Sequence, residues 1–347
     1  MNQHYALHYA RARVLTLEDA SHALVTASVL LMAASFVGHR LSPYVDMTTD
    51  GNFFLLFSLV MELGFFILPT AYLLSSKGLS WRTVFGWRPL AKAQIPWLFA
   101  MAFFAMLAVT GLQMIWTVAM EAWGIPYGLG EETGGNFLLS LVTVSLGAGF
   151  SEEILVRGTL LPPMERRWGR GAAIVLSAVV FSLMHGEVAR LPYTFLLGLL
   201  LAWIAIRAGT IKASILFHAL YNAMSVILGA LTSGAQETVD LAQANPYADP
   251  VNWPSFCLTG GFMIFIGALF LAVFAIGFAH RCPASPRLLR DPKRVARPVT
   301  PAEIAADPNP WHYSDEAHFP PVVPLALFVS VFLLFLRVIW TTLEIWP

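Results

Sequence analysis

The sequence predicts an all-α protein, a polytopic integral membrane helical bundle with about nine transmembrane helices. Composition, long apolar runs and an alternation of basic loops predict it. Of 347 residues, 57% are hydrophobic and only 12% charged, against about 25% charged in an ordinary soluble protein. Twenty-one basic and 21 acidic side chains could not cover the surface of two soluble domains, and the mean hydropathy of +0.66 agrees. A soluble enzyme, a disordered chain and a nucleic-acid-binding module are excluded. The formal net charge is zero, which points to no acidic partner. Cys257 and Cys282 are too few for a disulfide framework and are not spaced as a metal-ligand pair.

A bilayer core of about 30 Å needs about 20 mostly apolar residues per helix. Nine runs qualify: 21–38, 53–74, 95–118, 137–160, 171–186, 191–207, 211–231, 257–279 and 323–342. The first follows a polar N-terminus without a convincing cleavage site, so it reads as an uncleaved anchor. The second carries Pro69 and the sixth Pro192, which are expected to kink or start their helices. The fourth is expected to end at Pro162-Pro163, because proline offers no amide donor and crowds the preceding turn. The fifth and sixth runs are the shortest.

With the N-terminus inside, the inner segments are 1–20, 75–94, 161–170, 208–210 and 280–322. They and their flanks hold 17 of the 21 basic residues; Arg40, Arg190 and Arg337 fall on the outer side and Arg157 inside a span. That asymmetry orients the chain with the N-terminus cytoplasmic and the C-terminus outside. The organisation expected is a cytoplasmic tail (1–20), three N-terminal helices (21–135) and a core of helices 4–7 (136–232). An outer loop with helix 8 (233–280), a Pro/Arg-rich cytoplasmic loop (281–322) and helix 9 (323–347) follow. The long inner loop reads as a solvated linker.

Ionisable groups inside a span cost several kcal/mol and face a partner or a cavity. They concentrate in 152–222. Adjacent Glu152 and Glu153 point about 100° apart on a helix. Glu153 and Arg157, four apart, can pair on one face. The second carboxylate then faces elsewhere and can act as a general base or acid. Phe181 and His185 share a face of the fifth run, and His218 and Asn222 share one in the seventh. Taken singly these read as a packing ion pair, an interfacial histidine and interhelical hydrogen bonds. Together they supply what water activation and oxyanion stabilisation require. Glu62, deep in the second run, is expected to face the interior and take no part in chemistry, with Gly64 and Pro69 on the same helix allowing close packing.

In these residues the chain resembles the CAAX-protease and bacteriocin-processing family of intramembrane proteases, which includes the type II CAAX prenyl endopeptidases and the abortive-infection proteins. Its signatures EExxxR, FxxxH and HxxxN read here as Glu152-Glu153-Ile-Leu-Val-Arg157, Phe181-Ser-Leu-Met-His185 and His218-Ala-Leu-Tyr-Asn222. Gly158, Gly186 and Gly198 add to the likeness, which covers about residues 136–230. The resemblance implies a water-filled cavity open to the cytoplasmic half of the bilayer and a hydrolase that cuts a membrane-anchored or lipid-modified protein or peptide. A prenylated C-terminus, a leader peptide or a sorting tail would each fit, and a bacterial inner membrane is the expected location. Carried over, Glu152 activates water and His185 orients it. His218 and Asn222 hold the carbonyl oxygen, and Glu153 and Arg157 support the site.

Two histidines and a glutamate (Glu152, His185, His218) could ligate zinc. There is no His-Glu-x-x-His helix and an asparagine amide is a poor zinc ligand, so a metal-free glutamate mechanism is the first expectation and zinc the alternative. A catalytically silent scaffold or immunity protein of the same fold, or a proton-coupled transporter using Glu62, Glu152 and Glu153, are the competing classes. No internal repeat favours the transporter. No rhomboid-type Gly-x-Ser-Gly or presenilin-type Gly-x-Gly-Asp lies in a span. One feature is awkward: by linear counting, His218 lies nearer the cytoplasm and His185 nearer the outer end of a short fifth helix. Tilt or a deeper start must bring them level.

Overall fold

The structure, a computed structural model, describes residues 15–41, 51–125, 136–236, 245–282 and 324–345. The N-terminal tail before residue 15 and nearly all of the 281–322 loop lie outside the described residues. Among those described, eight helical runs are long and apolar enough to cross a membrane. One of them, Phe137–Met184, is 48 residues long and contains two expected spans. Gly169, with φ 81° and ψ 167°, breaks it. Divided at Gly169, these eight runs give nine helical segments among the described residues, one on each expected run: α1 (Leu17–Leu41), α2 (Gly51–Ser76), α3 (Ile95–Ala122), α4 (137–168), α5 (170–184), α6 (Leu191–Ala208), α7 (Ile211–Gln236), α8 (Trp253–Arg281) and α9 (Leu325–Ile345).

The expected stop at Pro162-Pro163 is not where α4 ends. Both prolines sit in the first turn after a π-helical segment, Ile154–Leu160. A π segment already leaves carbonyls outside the regular ladder, so the missing proline N–H groups break little. The same device recurs in α2, where Pro69 follows the π segment Leu63–Ile67. Pro192 opens α6, as expected.

Apolar residues at helical spacing point outward, such as Phe53, Leu56, Phe57 and Val60 on α2 and Leu258, Phe262, Phe265 and Leu269 on α8. Apolar faces this continuous would be insoluble in water and are matched to lipid tails. The α4–α5 run is the most buried and forms the centre. It packs against α6, α7, α2 and α1; α9 lies along α1, and α3 along α8.

Contacts between helix ends reproduce the expected alternation. Lys77 at the end of α2 pairs with Asp19 at the start of α1 at 2.6 Å. Arg166 reaches the Leu15 carbonyl, and Arg207 the Ala279 carbonyl. The basic ends therefore share one side of the bundle. On the other side, the Asn136 amide meets Asn52 Oδ1 at 2.7 Å and Asn245 meets Glu121 at 2.6 Å. The 75–94 segment is more than a surface loop: Leu79, Val84 and Phe85 are buried. Phe85 fills the space beside Gly158, where a Cβ would come within 2.7 Å of its ring.

Candidate active site

The three motifs converge on the ring of Phe181. Glu152 and Glu153 lie on a short α-helical stretch, Ala148–Glu153, held between π segments Leu141–Gly147 and Ile154–Leu160. The 100° offset between neighbours sends one carboxylate into the core and leaves the other apart. Glu153 and Arg157 are completely buried and paired at 2.7 Å between Oε1 and Nη1. Arg157 Nη2 donates to the Gly198 carbonyl at 3.0 Å, and its guanidinium lies 4.2 Å above the Phe181 ring. Glu152 is half-buried and its Oε2 has no hydrogen-bond partner. Glu153 is thus committed to structure, and Glu152 is left available.

Both imidazoles meet Phe181 edge-on. His185 lies 4.9 Å and His218 5.7 Å from its centroid, which removes the discrepancy in depth. α5 rises only about 22 Å, less than the hydrocarbon thickness, so its C-terminal end at His185 is level with His218, the eighth residue of α7. His185 Nδ1 is 2.9 Å from the Phe181 carbonyl. A carbonyl only accepts, so Nδ1 carries the proton and Nε2 keeps its lone pair in the neutral ring. His218 Nδ1 sits 3.2 Å from Glu153 Oε1. That carboxylate orients the ring and stabilises it when protonated, so that Nε2–H can donate. Asn222 Nδ2 donates one hydrogen to the Val144 carbonyl at 2.8 Å; its second N–H remains for another acceptor. Gly149 permits this close arrangement of α4 and α7, since a Cβ there would lie 3.1 Å from the Ala219 amide nitrogen.

All six expected residues are thus in or beside one cluster. Phe181 does more than its motif implied, since it supports a cation and two imidazoles together. Glu62 is near: its Oε2 is buried without a partner and lies 3.6 Å from where a Cβ on Gly147 would sit. Gly64 plays no packing part, because nothing lies within 4 Å of its Cβ position. Reasoning from sequence missed Arg337 of α9, whose Nη1 donates to the Met184 carbonyl at 2.6 Å, next to His185. A lone arginine in an otherwise apolar span was the available signal. Among the described residues no three His, Cys, Asp or Glu side chains converge as a metal site.

Residues 134–224 match the family model described as "Type II CAAX prenyl endopeptidase Rce1-like", a family of proteases. The match takes in all six cluster residues and roughly a quarter of the chain. No curated protein and no solved structure matches the chain. The chain is thus an integral membrane protein carrying a segment of the CAAX-protease type.

Proposed function

We propose that this protein is an intramembrane endopeptidase that hydrolyses a peptide bond in a membrane-associated substrate, with a prenylated, CAAX-like C-terminus as the first candidate. The observation that carries the reading is the division of labour between adjacent glutamates: Oε1 of Glu153 is locked to Arg157 and His218 in full burial, while the half-buried Glu152 is in neither pair. Glu152 accepts a proton from water as the oxygen attacks the scissile carbonyl. His185 Nε2 orients that water by accepting its other hydrogen. His218 Nε2–H and the second N–H of Asn222 take up the negative charge that develops on the carbonyl oxygen. Glu152 then returns its proton to the leaving amine. Lipid-embedded surroundings keep these terms unscreened. We place the N-terminus in the cytoplasm of a bacterial inner-membrane protein, from the basic ends gathered on one side.

The test is a farnesylated peptide ending in Cys-aliphatic-aliphatic-X, presented to purified protein in nanodiscs. Wild type should release the C-terminal tripeptide, read by mass spectrometry. Glu152→Gln should release it on the order of 10²–10⁴-fold more slowly at the same folded amount. Equal rates would overturn the glutamate role. No release from this peptide, from a leader peptide or from a membrane-anchored sorting tail would overturn the protease reading.

A further inference from the structure

α9 lies more than 100 residues beyond the family-matching segment, yet it supplies a side chain to the cluster's edge. Arg337 sits in the middle of Leu325–Ile345, flanked by Phe335, Leu336, Val338 and Ile339. A guanidinium at that place is costly unless it is fully engaged. It is engaged in three ways. Nε donates to Ser35 Oγ of α1 at 2.8 Å. Nη1 donates to the Met184 carbonyl at 2.6 Å. The guanidinium also lies flush against Gly186, where a Cβ would come within 2.6 Å of its carbon. Thr341, one turn further along α9, donates to the Gly186 carbonyl.

These contacts enclose His185 on both sides of the chain. α5 ends at Met184, and the last carbonyls of a helix have no partner within it. Gly186 turns the chain with φ +73°, a conformation that strains any residue with a Cβ. The place where a side chain would project is occupied by the arginine fork. A cation at a helix C-terminus also complements the helix dipole.

We infer that Arg337 is a positioning residue: it clamps the Met184–Gly186 turn and so fixes the His185 imidazole for water orientation, which makes α1 and α9 working parts of the site. This rests on the proposed hydrolysis. Lysine supplies the charge and three donors on a single nitrogen, but not the planar fork whose separate Nε and Nη1 reach Ser35 and Met184.

The experiment uses full-length protein in nanodiscs with the farnesylated peptide and two readouts. Kinetics compare wild type, Arg337→Met, Arg337→Lys, His185→Ala and the Arg337→Met/His185→Ala double variant. Methionine is apolar and of similar length, so the folded amount should hold. Arg337→Met should lower kcat by about 10–100-fold, as expected of a displaced catalytic group, with KM unchanged and little rescue by lysine. In the His185→Ala background the same substitution should cost nothing further. Wild-type kcat in Arg337→Met, or an equal fold-loss in both backgrounds, would overturn the inference. The second readout needs no turnover: nitrogen-15 spectra of labelled histidine, with the His185 signals identified by their loss in His185→Ala. Arg337→Met should shift those signals and leave His218 in place. Unmoved His185 signals would overturn the inference, whereas an uncleaved peptide with shifted His185 signals would overturn only the protease reading.

Discussion

Replacing Arg157 with methionine removes the one cation that satisfies the innermost carboxylate. Glu153 and Arg157 have no solvent exposure, so water cannot replace the lost partner. Glu153 would keep the His218 contact at 3.2 Å and its Ser214 neighbour, neither of them a permanent cation. The Gly198 carbonyl would lose its donor and Phe181 its stacked cation. Breaking a buried ion pair from one side costs about 3–5 kcal/mol, enough to consume much of a stability of roughly 5–15 kcal/mol. Replacing both partners by neutral groups costs less, because no unpaired charge remains. The assay is reversible unfolding in bicelles, titrated with denaturing detergent, for Arg157→Met, Glu153→Gln and the double variant. Arg157→Met should lose about 3–5 kcal/mol, and the double variant should be more stable than Arg157→Met alone. A double variant at or below the sum of the singles would refute the reasoning, since the arginine would then stabilise by something other than neutralising Glu153.

Glu62→Gln should retain cleavage and the folded amount, because Glu62 bears on Glu152 only as a neighbouring carboxylate and takes no part in the Glu153–His218–Arg157 contacts; loss of cleavage with unchanged folding would make it catalytic. Gly149→Val should abolish the folded form, since even a Cβ there approaches backbone across the α4–α7 contact; a wild-type yield would refute this. A cysteine replacing Arg290 should resist impermeant reagents added to intact cells, and labelling from outside would sink the nine-span orientation. Activity should survive a strong chelator; loss with rescue by zinc would reassign Glu152, His185 and His218 as ligands or their neighbours.

The spans were legible because the signal is additive: about 20 apolar residues cannot be hidden, and basic loops mark alternate ends. Which glutamate is buried was legible in part, since the i, i+4 spacing assigned Arg157 to Glu153. It also left Glu152 unassigned, as the geometry has it. The break between α4 and α5 was misplaced because proline is the louder signal. Pro162-Pro163 reads as a stop only if the preceding turn is α-helical, and it is π-helical here. Nothing in the one-dimensional pattern distinguishes i→i+4 from i→i+5 bonding, since the choice depends on what neighbouring helices offer the displaced carbonyls.

That dependence explains where the site sits. α4 changes register twice, before Ala148 and after Glu153, and each change frees backbone and side-chain groups that other helices then engage. Asn222 of α7 takes the Val144 carbonyl in the first π segment. In the second, Thr159 donates back to the Ile154 carbonyl at 2.9 Å and meets Thr70 of α2 at 3.4 Å. The α-helical turn between the two segments is thereby held from both ends, and it carries both glutamates. A single regular helix could offset two adjacent carboxylates by 100° but would leave both to drift with its rotation. Anchoring each end to a different neighbour fixes that rotation, so that Glu153 is held to its cation and Glu152 is kept from it.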